Sequence, residues 1–466
     1  DIVYDSRAVS EGTVFVAIPG ARHNGETFID RAIESGACAV ISQKSHSRLP
    51  VPWVKVRDAR VALGTAAKAL WDTGRDIQTV GITGTNGKTT TAVLVRSLLS
   101  GTLAQPDTVW LYGTVGYSYD GATHAAPTTT PAAADMLRQI ARARTQPSAL
   151  VMEVSSHALQ LDRVAGLDYD VAVWTNLTQD HLDFHRTVEE YYQAKQRLFT
   201  RYLKDGGCAV INTDDPWGRR LSAALRGKEQ ISYGEGNSAR VKILDWRGDL
   251  DGSVVTVAID GSRHRFRTSL FGAFNRYNIA ALCAVALALS LDSGHIQSAL
   301  DSVESIPGRM ERVRPPHEFA AIVDYAHTPD ALDKALATAR EITPRRLICV
   351  FGCGGDRDRT KRPLMARAVA GYSDRAIVTS DNPRSEDPVR VIDEIVTGMP
   401  LDFACDVCVD RREAIGKALA LAGEGDCVVI AGKGHEDYQE IQGKRHHFDD
   451  REVVREEYQR LARAKR

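Results

Sequence analysis

The chain has 466 residues, of which 43% are hydrophobic and 26% charged, and its formal net charge is −1. That length exceeds one ordinary core and points to about two to four domains. The balanced charge excludes bulk electrostatic recruitment to nucleic acid or an anionic membrane, so anionic ligands must be held by local clusters. The longest apolar run, residues 279–291, falls well short of the ~20 residues that a membrane span needs. No leader-peptide pattern is read, and because the chain opens at Asp1 rather than Met, a few further residues are expected to precede it. Eight cysteines lie scattered through apolar runs. Cys405 and Cys408 form one CxxC with no second pair at zinc-site spacing, so reduced, packed thiols and a cytoplasmic protein are expected.

Residues 1–75 carry short β-type runs (TVFVAI, ACAVIS, PWVKV) and a helical stretch near 58–71, which reads as a small α/β domain. Residues 76–308 change to apolar strand, glycine turn and long helix, with strands expected at 79–83, 149–154, 171–175 and 208–212. That alternation predicts a largely parallel sheet covered on both faces. Alternating residues at 240–270 suggest antiparallel hairpins, and 277–290 a buried helix. After Pro307-Gly308 a second alternation, with strands at 320–325, 346–352, 375–380 and 427–432, predicts a second open α/β domain over 309–466. Seven polar clusters follow these strands directly, where open α/β sheets bind ligands. Two such domains would present their loop edges to a shared cleft.

The first cluster, TGTNGKTT (83–90), joins a strand to a helix that stops near Gly101. Gly84 and Gly87 let the backbone approach phosphate oxygens, and the helix start supplies free N–H groups and positive dipole. Thr85, Asn86 and Thr90 complete the loop, Lys88 neutralises β/γ-phosphates, and the Thr89 hydroxyl suits Mg²⁺. The loop is a shortened G-x-x-G-K-T, because Ile82 occupies the position of the usual first glycine. The alternative is a glycine-rich turn without a ligand.

Glu153 ends a strand, and His181 lies in the loop after another. If both strands flank the phosphate-loop strand, both side chains point at the triphosphate. Mg²⁺ prefers Glu153 and phosphate oxygens, with His181 either an extra ligand or a hydrogen-bonded loop histidine. Lys195 stands on the apolar face of a helix, with Tyr191, Tyr192, Leu198 and Phe199 at −4, −3, +3 and +4. An ammonium there must snorkel, pair, or change chemistry, for example by reacting with CO₂ to give an anionic carbamate.

These motifs, in this order from YDSR (4–7) to AGKGHEDY (431–438), resemble the Mur ligase family of ATP-dependent amino-acid ligases. The resemblance implies a uridine-nucleotide domain, a central ATPase and a C-terminal Rossmann-like domain. It further implies that Ser6 and Ala21, Arg22 and His23 contact the uridine nucleotide. By the same resemblance Thr128, Thr129, Thr130, Ser155 and Arg163 hold the muramoyl-dipeptide; some relatives add a glutamine where this chain has Leu161. Asn275, Asn278, Arg309, Asp324 and His327 match ATP-side positions. Arg357, Asp381, Asn382, Pro383, Arg384, Gly432 and Glu436 match positions receiving diaminopimelate. Lys195 matches the family's carbamylated lysine.

Chemistry supports that amino acid independently. A guanidinium such as Arg384 grips the second carboxylate that distinguishes diaminopimelate from lysine, on a loop that Pro383 stiffens. The alternative for DNPR is a β-turn capped by Asp381.

The expected reaction joins meso-diaminopimelate to the D-Glu carboxylate of a UDP-MurNAc-dipeptide through an acyl-phosphate, for peptidoglycan synthesis. ATP and two Mg²⁺ ions are implied: one on Thr89 and Glu153, the other on Glu153, His181 and carbamylated Lys195. Closure of the C-terminal domain would exclude water. The expected partners are these small molecules only, on a monomer. Rivals are a folate-type ligase, a P-loop switch lacking any N-K-x-D, and an inactive sugar-nucleotide module.

Overall fold

The computed structural model describes residues 1–20, 24–103, 105–313 and 318–464. It is an α/β protein in two compact units: residues 1–245, 255–265 and 276–302 form one, and 246–254, 266–275 and 303–466 the other.

The first unit opens with a small parallel sheet in the order Ile2–Val3, Thr13–Val16, Ala37–Ser42, Trp53–Lys55. Helix Ala59–Trp71 follows, with Asp58 accepting from the N–H groups of Arg60 and Val61 at its start. This cap satisfies amides that would otherwise lack partners.

The main sheet has Gln78–Thr83 near its middle, flanked by Tyr169–Trp174 on one side and Ala149–Glu153 on the other, all parallel. Leu203–Asn212 and Gln230–Gly234 extend the parallel pairing on the Tyr169–Trp174 side. The central strands are apolar on both faces because helices cover both; Val80 and Ile82 are fully buried. Strands Val241–Asp249, Gly252–Ile259 and Ser262–Thr268 occupy the outer edge of the sheet where hairpins were expected. At the opposite edge, Val109–Gly113, Gly116–Tyr119 and Ala122–His124 form an aromatic-rich meander that the sequence reading did not place. Helices Val188–Thr200 and Asn275–Ala288 match the two helical patterns expected there.

The second unit has a six-stranded sheet in the order Glu311–Arg312, Ala320–Asp324, Cys427–Ala431, Leu347–Phe351, Arg375–Val378, Cys405–Val407. Every pair but the first is parallel. Two apolar cores lie on it, one including Leu336, Met365 and Ile392, the other Ile415, Leu419 and Tyr458. The eight cysteines are free thiols, and Cys38 departs from the expected packing by being exposed. Among the described residues no helix is long and apolar enough to cross a membrane.

A fully buried ion pair ties helix Arg411–Leu421 to helix Asp450–Ala464: Arg411 Nε and Nη2 donate to Asp450 at 2.8 and 2.7 Å. Removing one partner leaves a buried charge without compensation. Asp450→Ala is therefore expected to destabilise the second unit by about 3–5 kcal/mol, read as an earlier urea transition of that unit.

Candidate functional site

The glycine loop between Gln78–Thr83 and helix Lys88–Ser100 is closely surrounded. A Cβ at Gly84 (φ +151°) would lie 1.8 Å from Thr175 Oγ1, and one at Gly87 (φ +84°) 2.6 Å from Asn278 Oδ1. Only glycine fits both places. Thr85 N donates to Asn176 O at 2.8 Å, Asn86 N to Asn176 Oδ1 at 3.0 Å, and Thr175 Oγ1 to Asn86 O at 2.6 Å. Thr175 and Asn176 open one of the polar clusters that follow a strand in the sequence (TNLTQDHLDFH), but no role was read for them there. Lys88 Nζ donates to Gly84 O and Thr85 O at 2.9 and 2.8 Å. Thr90 is buried, and Asn278 meets Thr91 Oγ1 at 3.4 Å. Asn275 Nδ2 donates to Phe271 O at 2.7 Å.

The two flanking strands bring the remaining chemistry to this loop. Glu153 is 1% exposed and accepts from Thr89 Oγ1 at 3.0 Å, Thr114 N at 2.7 Å and Thr114 Oγ1 at 3.1 Å. A hydroxyl and a carboxylate thus meet at a helix N-terminus, a hard-oxygen pair that fits Mg²⁺. Among the described residues no three His, Cys, Asp or Glu side chains converge as a metal group. A cation here would therefore rely on Thr89 and on phosphate oxygens as well as Glu153. His181 has a left-handed backbone (φ +54°), lies 3.5 Å from Asp180 and packs edge-on against His157.

Lys195 is 1% exposed and donates from Nζ to Gly84 O at 2.7 Å, with Nζ 4.6 Å from the centre of the Tyr191 ring. It neither snorkels nor finds a carboxylate among the described residues. Burial first, then the nearby Lys88, hold its amine well below the ordinary lysine range, while Asp180 acts the other way. A neutral amine at this depth is the form that reacts with CO₂.

A cavity of about 690 Å³ in the same unit is lined by Tyr4, Arg60, Tyr117, Thr128, Thr130 and Arg163 among others. Thr130 Oγ1 donates to Glu153 O at 2.8 Å and accepts from Ser155 N at 3.0 Å, so this wall is fastened to the carboxylate-bearing strand. Thr129 meets Thr114 at 3.3 Å. Ser6 is half-buried in a short turn, whereas Ala21, Arg22 and His23 lie outside the described residues. Arg60 was missed; its place just after the Asp58 cap was the available signal.

In the second unit Asp381, Asn382 and Pro383 are buried, and Arg384 has φ +52°. Among the described residues no N–H group donates to the Asp381 carboxylate, and Oδ1 has no hydrogen bond, so the capped-turn alternative does not hold. Arg384 Nη1 donates to Gly355 O at 2.6 Å, and Asn382 Nδ2 to Glu436 Oε2 at 2.9 Å. A Cβ on Gly432 (φ +119°) would come within 2.8 Å of Asp381 Oδ2, and Arg357 is exposed nearby in sequence. Asp324 accepts from Met310 N and Ala326 N, and its carboxyl is pushed up by burial. Arg309 lies over the Tyr325 ring. His327 Nδ1 donates to Tyr325 O at 2.7 Å, and burial lowers its pKa.

Comparison with known proteins gives three family-model matches. The Mur ligase middle domain covers residues 82–287, the Mur ligase glutamate ligase domain 308–434, and the Mur ligase family catalytic domain 1–71. The UDP-N-acetylmuramoyl-L-alanyl-D-glutamate–2,6-diaminopimelate ligase of Gloeobacter violaceus is 46% identical over 97% of this chain and 92% of its own. A solved structure with the same protein name superposes with a TM-score of 0.71 at 35% identity, covering 99% of this chain and 95% of the other. MurF ligase from Thermotoga maritima, in complex with ADP, shares the fold with a TM-score of 0.67 at 20% identity, over 100% and 98% of the two chains.

Because the folded chain binds fewer protons at Lys195 than the unfolded chain, this group's contribution to stability rises with pH up to the ordinary value of 10.5. Lys195→Met is therefore expected to be about 1–3 kcal/mol more stable than the parent at neutral pH. The difference should shrink toward pH 10.5, as measured by urea unfolding at several pH values.

Proposed function

The chain belongs to the Mur ligase family, and from that premise we propose that it is the ATP-dependent ligase joining meso-2,6-diaminopimelate to the D-glutamate carboxylate of UDP-N-acetylmuramoyl-L-alanyl-D-glutamate. The product is a peptidoglycan precursor made in the cytoplasm, with ADP and phosphate released. The observation that carries this reading is the near-full-length identity to relatives of that name. The buried Thr89–Glu153 contact and the buried Lys195 on the Gly84 carbonyl, both at the glycine loop, support it. We assign residues 1–75 to the uridine nucleotide, 76–308 to ATP and 309–466 to the amino acid.

In this reading residues 84–90 wrap the polyphosphate, and Lys88 leaves the loop carbonyls to neutralise charge on the transferring phosphoryl group. Asn278 supports the loop, while Asn275, Arg309, Asp324 and His327 serve the nucleotide. Thr89 and Glu153 hold one Mg²⁺; Glu153, His181 and Lys195 hold a second. Bound there, Mg²⁺ neutralises phosphate oxygens and the attacking carboxylate.

Thr128, Thr129, Thr130, Ser155 and Arg163 orient the muramoyl-dipeptide, and Ser6 with residues 21–23 contacts the uridine. The D-glutamate carboxylate attacks the γ-phosphorus in line, so an O–P bond forms as ADP leaves. The amine of diaminopimelate, held through Arg357, Asp381–Arg384, Gly432 and Glu436, then attacks the acyl carbon and phosphate departs. Lys195 contributes as a carbamate: its unprotonated amine forms an N–C bond to CO₂ and loses a proton, which turns a buried base into an anionic ligand.

An ADP-release assay with the nucleotide-dipeptide tests the reading. Diaminopimelate is expected to support turnover, with lysine and ornithine at least about 100-fold poorer in kcat/KM; equal use of lysine would refute the assigned amino acid. Arg384→Ala is expected to raise KM for diaminopimelate about 10- to 100-fold while leaving lysine use unchanged.

A further inference from the structure

Lys433 follows strand Cys427–Ala431 and is completely buried. Its Nζ donates to Asn382 Oδ1 at 3.1 Å and stands 3.6 Å from both Asp381 Oδ1 and Glu436 Oε2, with the Tyr438 ring centre at 5.5 Å. Asn382 is held from both ends: its Oδ1 also accepts from Glu440 N at 2.9 Å, and its Nδ2 donates to Glu436 Oε2. Two carboxylates this close in a dry setting would share a proton unless a cation lay between them. The fully buried Lys433 ammonium occupies that place.

We infer that Lys433 is a positioning residue of the amino-acid site: its ammonium keeps Asp381 and Glu436 ionised together and fixes Asn382 between them, so the cluster offers one net negative charge to the ammonium of the incoming amino acid. The charge count follows from the residues. Asp381 and Glu436 contribute two negative charges and Lys433 one positive. Arg411, the next cation, is already matched by Asp450. Asp381 Oδ1, buried and without a hydrogen bond, is the acceptor left over. The Arg384 guanidinium adds a positive pole, and its field reaches Glu436. A negative and a positive pole side by side match a carbon bearing both ammonium and carboxylate, which diaminopimelate has at its far end and lysine lacks.

The ionisation balance is delicate. Burial raises the Glu436 carboxyl above its ordinary range, opposed first by Lys433. The groups facing the pair are Lys433, Arg384, Arg411, Tyr325, Tyr438, His327 and Cys353, from the surrounding strands and loops. Removing Lys433 takes away the charge that opposes burial at Glu436 and leaves that carboxyl protonated to higher pH, whereas Glu436→Gln removes the raised carboxyl itself.

This inference rests on the amino-acid site proposed above, and steady-state kinetics of Lys433→Met and Glu436→Gln separate the two. Diaminopimelate is varied at saturating ATP and nucleotide-dipeptide from about pH 5 to pH 9. Lys433→Met should raise KM for diaminopimelate about tenfold or more and leave KM for ATP within about twofold. The acidic limb of kcat/KM should move to higher pH in Lys433→Met and to lower pH in Glu436→Gln. A purely structural lysine moves neither limb, so an unmoved limb in both variants, or an unchanged KM in Lys433→Met, overturns the inference. If Lys433→Met does not fold, the downward shift in Glu436→Gln decides alone. A parent enzyme that does not turn over diaminopimelate overturns the site assignment instead.

Discussion

The structure of the first unit depends on one constraint: three parallel strands must deliver a buried carboxylate, a buried amine and a glycine loop to the same place. Gln78–Thr83 carries the loop, and its neighbour Ala149–Glu153 ends in the carboxylate that takes the Thr89 hydroxyl. The opposite neighbour, Tyr169–Trp174, leads through the His181 loop to the helix bearing Lys195. Register is what makes this work, since Ile82 lies opposite Glu153 and Thr83 opposite Trp174. A slip of one residue would turn the carboxylate to the other face of the sheet.

Lys195 makes this arrangement chemically distinctive. A fully buried ammonium bonded to a single carbonyl, with a second lysine nearby, is poorly stabilised as a cation. The fold tolerates it because burial favours the neutral amine, and in the proposed reaction that amine is the group carbamylated by CO₂. Lys433 answers the same difficulty differently, by pairing with carboxylates.

Much of this was legible in the sequence for physical reasons. The strands that carry ligands are apolar runs ending in polar clusters, and each was placed to within a few residues, as for Ala149–Glu153 and Cys427–Ala431. Lys195 stood out because a cation on an apolar helix face breaks the 3.6-residue pattern. The edge strands Val109–Gly113, Gly116–Tyr119 and Ala122–His124 were not placed: their aromatic residues favour strands, but the runs are short and broken by glycines, and pairing across the sheet decides their state. Arg60 and Lys433 escaped for a related reason. A charged residue beside a turn looks solvated in one dimension, and only the packing of distant segments shows Arg60 lining the cavity and Lys433 fully buried.

The central claim is that the amine at Gly84 is a CO₂-reactive base at the phosphate loop. Carbon-13 NMR of the protein equilibrated with labelled bicarbonate and Mg²⁺–ATP tests it most directly. The account predicts one protein-bound carbamate resonance in the parent chain that disappears in Lys195→Met. A spectrum without that resonance, from a preparation that remains fully active after CO₂ is stripped from the buffer, would contradict it.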